Sequence, residues 1–149
     1  MFGFFKKKYP LLKNEMITPV GEPVNTSEAK RIFKQFMKEI GYLEKDELTE
    51  HAGYLSEEIK DHEQGLREEC LDKKEEIAEA KRLLKELKSN LKKAEGEEKE
   101  DIECEIEDIE DDLEDFVKEL EQAAEALAKF KKDKREFLIE YINNQTQSR

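Results

Sequence analysis

Residues 102–141 read IECEIEDIEDDLEDFVKELEQAAEALAKFKKDKREFLIEY. Alternating steps of four and three from Ile102 land on Ile106, Ile109, Leu113, Phe116, Leu120, Ala123, Leu127, Phe130, Lys134, Phe137 and Tyr141. All but Lys134 are apolar or aromatic, and that spacing draws one continuous stripe along an α-helix. The residues between them are mostly charged. A helix patterned this way needs an apolar partner to cover its stripe.

The partner lies upstream. Ile77, Ala80, Leu84, Leu87, Leu91 and Ala94 repeat the same spacing without interruption. Further back the series runs through Ala52, Ser56, Ile59, Glu63, Leu66, Cys70 and Lys73, where Glu63 and Lys73 interrupt it. Gly53 and Gly65 weaken this half by about 1 kcal/mol each relative to Ala, and Gly53 leaves room for a break or bend, with Ser56 as a fresh N-cap. Glu95-Gly96-Glu97 is the one credible turn in the charged region. Folding the chain there sets Leu91 against Ile102, Leu87 against Ile106 and Leu84 against Ile109. Ala80 then faces Leu113, and Cys70 packs beside Ala123.

Charge supports this register. Residues 95–115 hold fourteen acidic side chains and one lysine. The mirror stretch of the first arm is basic, with Lys81, Arg82, Lys85, Lys88, Lys92 and Lys93. An antiparallel hairpin places Lys88 near Glu103 and Lys81 near Glu110. Lower down, Lys129, Lys131, Lys132, Lys134 and Arg135 are expected opposite Glu57, Glu58, Asp61 and Glu63. Exposed pairs add little stability, but they select orientation and register.

Residues 1–45 differ from the rest. Phe2, Phe4, Phe5 and Tyr9 precede all three prolines, Pro10, Pro19 and Pro23, a density that marks an arm rather than a helix. Asn25 with Glu28 forms a capping-box pattern. A short amphipathic helix is expected over 27–40, with Ile32, Phe33, Phe36, Met37 and Ile40 on one face and Gly41 as its stop. Apolar residues outside the main stripe include Leu55, Leu71, Val117, Ala124, Ala128, Leu138, Ile139 and Ile142. The short helix is expected to cover this surplus at the hairpin base. The fold class is therefore all-α: a long antiparallel helical hairpin, a two-helix coiled coil over 46–143 turning at 95–97. The short N-terminal helix packs near its base, and a flexible tail spans 144–149.

Charged residues make up 44% of the 149 residues and there is no Trp, a profile that suits long charged helices better than a compact enzyme. The net charge of −12 opposes binding to nucleic acid or anionic lipid. The opening FGFFKKKY is too short an apolar stretch for membrane contact to be expected. No stretch is apolar enough to span a membrane, and the start does not resemble a secretory signal, so a cytoplasmic setting is expected.

Catalytic and cofactor signatures are not found. Neither His51 nor His62 has a Glu three residues before it, as a carboxylate-bridged metal bundle requires, and Cys70 and Cys104 belong to no CxxC. No metal is expected. His62 is placed beside the seam near Asp133. The expectation is a non-enzymatic interaction or scaffolding protein with a protein partner, acting as a monomer or as a homodimer. The alternative is an acidic inhibitor that imitates nucleic acid or binds a basic toxin or enzyme. Candidate partner-binding residues are Glu107, Asp108, Asp111 and Asp115 on the acidic run, and Phe2, Phe4 and Phe5 in the arm.

Overall fold

The computed structural model describes residues 8–17 and 21–147. After a 3-10 turn at Asn14–Met16 come α1 (Thr26–Glu39), α2 (Lys45–Leu91), α3 (Glu97–Lys132) and α4 (Arg135–Gln147). The protein is all-helical, with α2 and α3 packed as an antiparallel hairpin and α1 as a short N-terminal helix. Phe2, Phe4 and Phe5 lie outside the described residues. The chain divides into two compact units. Residues up to Glu63 and from Lys129 onward form the first, and Gln64–Ala128 form the second.

In the second unit the hairpin register follows the heptad. Leu84, Ala94, Ile102 and Ile106 form a buried cluster, with Leu87, Leu91, Ile109 and Leu113 packed against it. Residues 92–96 make the turn, where Gly96 takes φ 64°. That left-handed conformation suits a residue without a Cβ. Glu97, Glu98 and Glu100 open α3 and Lys129, Lys131 and Lys132 close it, each sign at the helix end whose dipole favours it. Lys73, the polar intruder in the stripe, reaches across the seam to Glu119 at 2.6 Å and to Glu76 at 3.3 Å. The hydrogen bond that it donates to Glu119, more than that to Glu76, holds its ammonium above the usual lysine range.

The first unit is closed by α1, α4 and the arm before them. Ile17, Val24, Phe33, Met37, Leu55, Leu138 and Ile142 are fully buried here. A side chain of that size contributes about 1.5–3 kcal/mol when covered. α1 is capped by Asn25, whose side chain accepts the Glu28 N–H at 2.8 Å. The Glu28 carboxylate turns to Arg31 at 2.8 Å rather than back to Asn25, so only half of the expected capping box forms. At the other end, Gly41 at φ 71° sends its N–H to Lys38 O and Tyr42 sends its N–H to Met37 O, the paired bonds of a Schellman stop. α1 packs on α4, with the Phe33 and Tyr141 rings 6.2 Å apart.

Several expectations are corrected. α2 runs unbroken through Gly53 and Gly65. The second long helix is broken at Asp133–Lys134. Lys134 falls on a stripe position and is buried. Its Nζ is satisfied by the carbonyls of Phe130 and Lys131 and lies over the Phe130 ring, so it does not stand opposite the acids of α2. The break is held from outside: Val24 N–H donates to Asp133 Oδ1 at 3.0 Å, and Lys134 N–H donates to Val24 O at 2.8 Å. The 144–149 tail is helical as far as Gln147, with Thr146 buried. His62 packs on the Phe130 and Phe137 rings at 4.6 and 5.0 Å rather than meeting Asp133. Leu55, Leu138 and Ile142 are covered as expected, whereas Leu71 is 55% and Val117 39% exposed, and Ala124 and Ala128 are also exposed. Among the described residues no helix is long and apolar enough to cross a membrane.

Candidate functional site

The two flanks of the α2–α3 seam within Gln64–Ala128 carry different charge. Along one flank the heptad puts Lys74, Lys81 and Lys88 on α2 beside Glu103 and Glu110 on α3. Opposite signs meet there, and Lys88 pairs with Glu110 at 3.8 Å. Glu110 replaces the expected Glu103 because helical side chains lean toward their own N-terminus. In an antiparallel pair, Lys88 and Glu110 lean toward each other while Glu103 leans away.

The other flank puts acid beside acid: Glu69 and Glu76 on α2, and Glu105, Asp112 and Glu119 on α3. Between them α2 contributes Leu83, an apolar residue outside the stripe. This flank holds a groove of about 540 Å³. Its floor is Ala80, Leu83, Ile109 and Phe116, and its rim is Asp72, Glu75, Glu76, Glu79 and Asp112. The hollow follows from the sequence. Ala80 occupies a stripe position that its neighbours fill with larger side chains, so the seam there is underfilled.

The rim carboxylates are not equivalent. Glu76 is bridged by Lys73. Glu79 is held by Arg82 at 2.5 Å, and that guanidinium keeps its carboxyl below the usual carboxylate range. Among the described residues no cation lies within ion-pair distance of Asp72, Glu75 or Asp112. All five rim residues are exposed, while Leu83, Ile109 and Phe116 are half-buried.

Glu107, Asp108, Asp111 and Asp115 lie elsewhere. They are exposed on α3, none lines the groove, and none takes part in an ion pair among the described residues. The groove residues escape a reading that looks for acidic runs, since four of the five rim carboxylates come from the first arm. Their signal is subtler: a small residue on the stripe, a leucine beside it, and acids at the same heptad position on both arms.

The first unit carries a concavity of opposite sign, about 510 Å³, where Lys30, Arg31, Lys34 and Lys38 of α1 surround Leu48. Glu44, Asp46 and Glu47 bring carboxylates together at the start of α2. Glu47 Oε1 accepts the Glu44 N–H at 3.0 Å, so this cluster is half of a capping box placed where a helix dipole favours negative charge. Cys70 is buried, Cys104 is exposed, and neither is in a disulfide.

Compared with family models, with curated proteins and with solved structures, the chain matches none.

Proposed function

We propose that this chain is a non-enzymatic protein-interaction module whose docking element is the acidic groove of Gln64–Ala128. The observation that carries this reading is the apolar floor inside a carboxylate rim, with no cation among the described residues within ion-pair distance of Asp72, Glu75 or Asp112. An apolar patch ringed by polar groups is the usual form of a recognition surface, and this rim selects basic partners. Nucleic acid and anionic lipid are repelled by it. The two unpaired thiols suit a reducing, cytoplasmic setting.

The acidic-inhibitor reading has a separate support: Glu107, Asp108, Asp111 and Asp115 form a solvated row on α3 that makes no ion pair among the described residues. One experiment separates the two. The immobilised chain, its Asp72→Asn/Glu75→Gln/Asp112→Asn variant and its Glu107→Gln/Asp108→Asn/Asp111→Asn/Asp115→Asn variant are each exposed to extract of the source cells, and retained proteins are identified. Loss of a basic partner in the groove variant alone supports docking through the groove. Loss in the outer-row variant alone, with a nuclease, other nucleic-acid enzyme or toxin retained by the parent, supports inhibition. Identical retention by all three removes both readings.

A further inference from the structure

We infer that the occupant of the groove is a single cationic amphipathic α-helix of a partner protein, laid beside α2 and α3 as a third strand of the bundle. This rests on the docking reading above and specifies the chemistry of the partner.

Backbone chemistry argues for a helix. The groove walls are two helices whose mid-segment N–H and C=O groups are bonded internally. An extended peptide would find no ladder to join, and its own backbone groups would be left unpaired at the floor. A helix brings its backbone already satisfied and offers only side chains, which is what an apolar floor accepts.

Charge sets the rest. Lys73 already demonstrates the local preference, as a primary ammonium held between Glu76 of one arm and Glu119 of the other. Asp72 and Glu75 of α2 and Asp112 of α3 line one rim, and among the described residues no cation lies within ion-pair distance of them. Asp72 and Glu75 lie about one turn apart on α2, and Glu79, already held by Arg82, closes the rim two turns or about 10 Å from Asp72. A partner helix with lysines or arginines seven residues apart, flanking a leucine-rich stripe, matches both rim and floor. A second copy of this chain does not: joining two such flanks would stack carboxylates against carboxylates.

The probe is a fluorescein-labelled, end-capped peptide of about 18 residues built from Leu, Ala and Lys with that spacing, long enough to form helix on a template. It is titrated into the full chain by fluorescence anisotropy, with circular dichroism on the mixture. The expected result is one peptide per chain with a gain in helix. Affinity should fall about tenfold or more in Asp72→Asn/Glu75→Gln/Asp112→Asn and in Ala80→Leu, which fills the floor. It should stay within about twofold in the outer-row variant, and far-UV dichroism confirms that each variant is folded. Absence of binding, binding without a gain in helix, or equal weakening by the outer-row variant would overturn the inference. So would sedimentation of the unliganded chain as a dimer that the groove variant dissociates. If the peptide fails while natural partners are still lost from the groove variant, docking stands and the helix does not. If the peptide binds as expected while all three chains retain the same natural proteins, the functional reading fails and the preference of the groove for a helix stands.

Discussion

Leu12 and Asn143 exchange two hydrogen bonds: Leu12 N–H donates to Asn143 Oδ1 at 2.8 Å, and Asn143 Nδ2 donates to Leu12 O at 3.0 Å. One side-chain amide thus does for the arm what a neighbouring strand does in a sheet, satisfying both backbone groups of a residue whose side chain is buried. Asn143→Leu should destabilise the protein by about 1–3 kcal/mol, since it orphans both groups. The Leu12 amide should also exchange faster than that of Phe33. An unchanged melting temperature would show that water replaces the amide without cost.

The Lys73 bridge predicts an alkaline effect. Its folded ammonium is held above the ordinary value of 10.5, so its contribution is whole below that value and is lost as pH rises through the raised one. The stability difference between the parent and Lys73→Gln should therefore be flat to about pH 10 and shrink above it. Tyr54, raised chiefly by its hydrogen bond to Glu50, and Tyr141, raised by burial and then by Glu58, add a decline of the same sign. Both chains share that decline, so it cancels in the difference. A difference that stays constant through pH 12 would remove charge from the account of Lys73.

Glycines of two kinds predict opposite signs. A Cβ at Gly53 or Gly65 would meet nothing within 4 Å, and both lie inside α2. Gly65→Ala should stabilise by about 0.5–1 kcal/mol through helix propensity, and Gly53→Ala likewise. Gly41→Ala, at φ 71°, should destabilise by forcing a side chain into the left-handed region. Urea midpoints for the three variants test the sign of each.

The register of the distal hairpin is open to direct chemical proof. Leu84 and Ile109 belong to one packed cluster. With Cys70 and Cys104 changed to Ser, Leu84→Cys/Ile109→Cys should oxidise within one chain and raise the melting temperature under oxidising conditions. Formation of covalent dimers in place of the intrachain bond would mean that the arms pair between molecules.

The hairpin was legible in the sequence because its information is local and repeated: every seventh residue restates the seam, and the opposite charges of Lys88 and an α3 glutamate restate the direction. Cover of the base by α1 was legible for a similar reason, as surplus apolar residues such as Leu138 and Ile142 required a partner. The helix break at Asp133–Lys134 was not. The periodicity carries on through it to Tyr141, and the bonds that hold it come from Val24, more than a hundred positions away. The groove was hidden differently. It depends on the absence of bulk at Ala80, which matters only against its larger neighbours, and on like charges meeting across the seam, which no one segment displays.

The bonding of Val24 to Asp133 and Lys134 has a consequence for synthesis. On the ribosome, residues 64–128 emerge before the segment that receives Val24, so the distal hairpin is free to zip by near-neighbour contacts as it appears. The arm must wait. Leu12 meets its partner only 131 positions later, and closing so wide a loop is entropically slow. Until residues 133–147 arrive, Leu12, Val24 and Phe33 lack Asn143, Asp133 and Tyr141, and the nascent first unit is an unfinished surface that invites chaperones. Nascent chains stalled with residues up to 128 exposed should therefore be cut readily within the arm and α1 by brief proteolysis, whereas chains stalled with residue 147 outside the tunnel should resist. The sequence elements made first are thus the last to find their place.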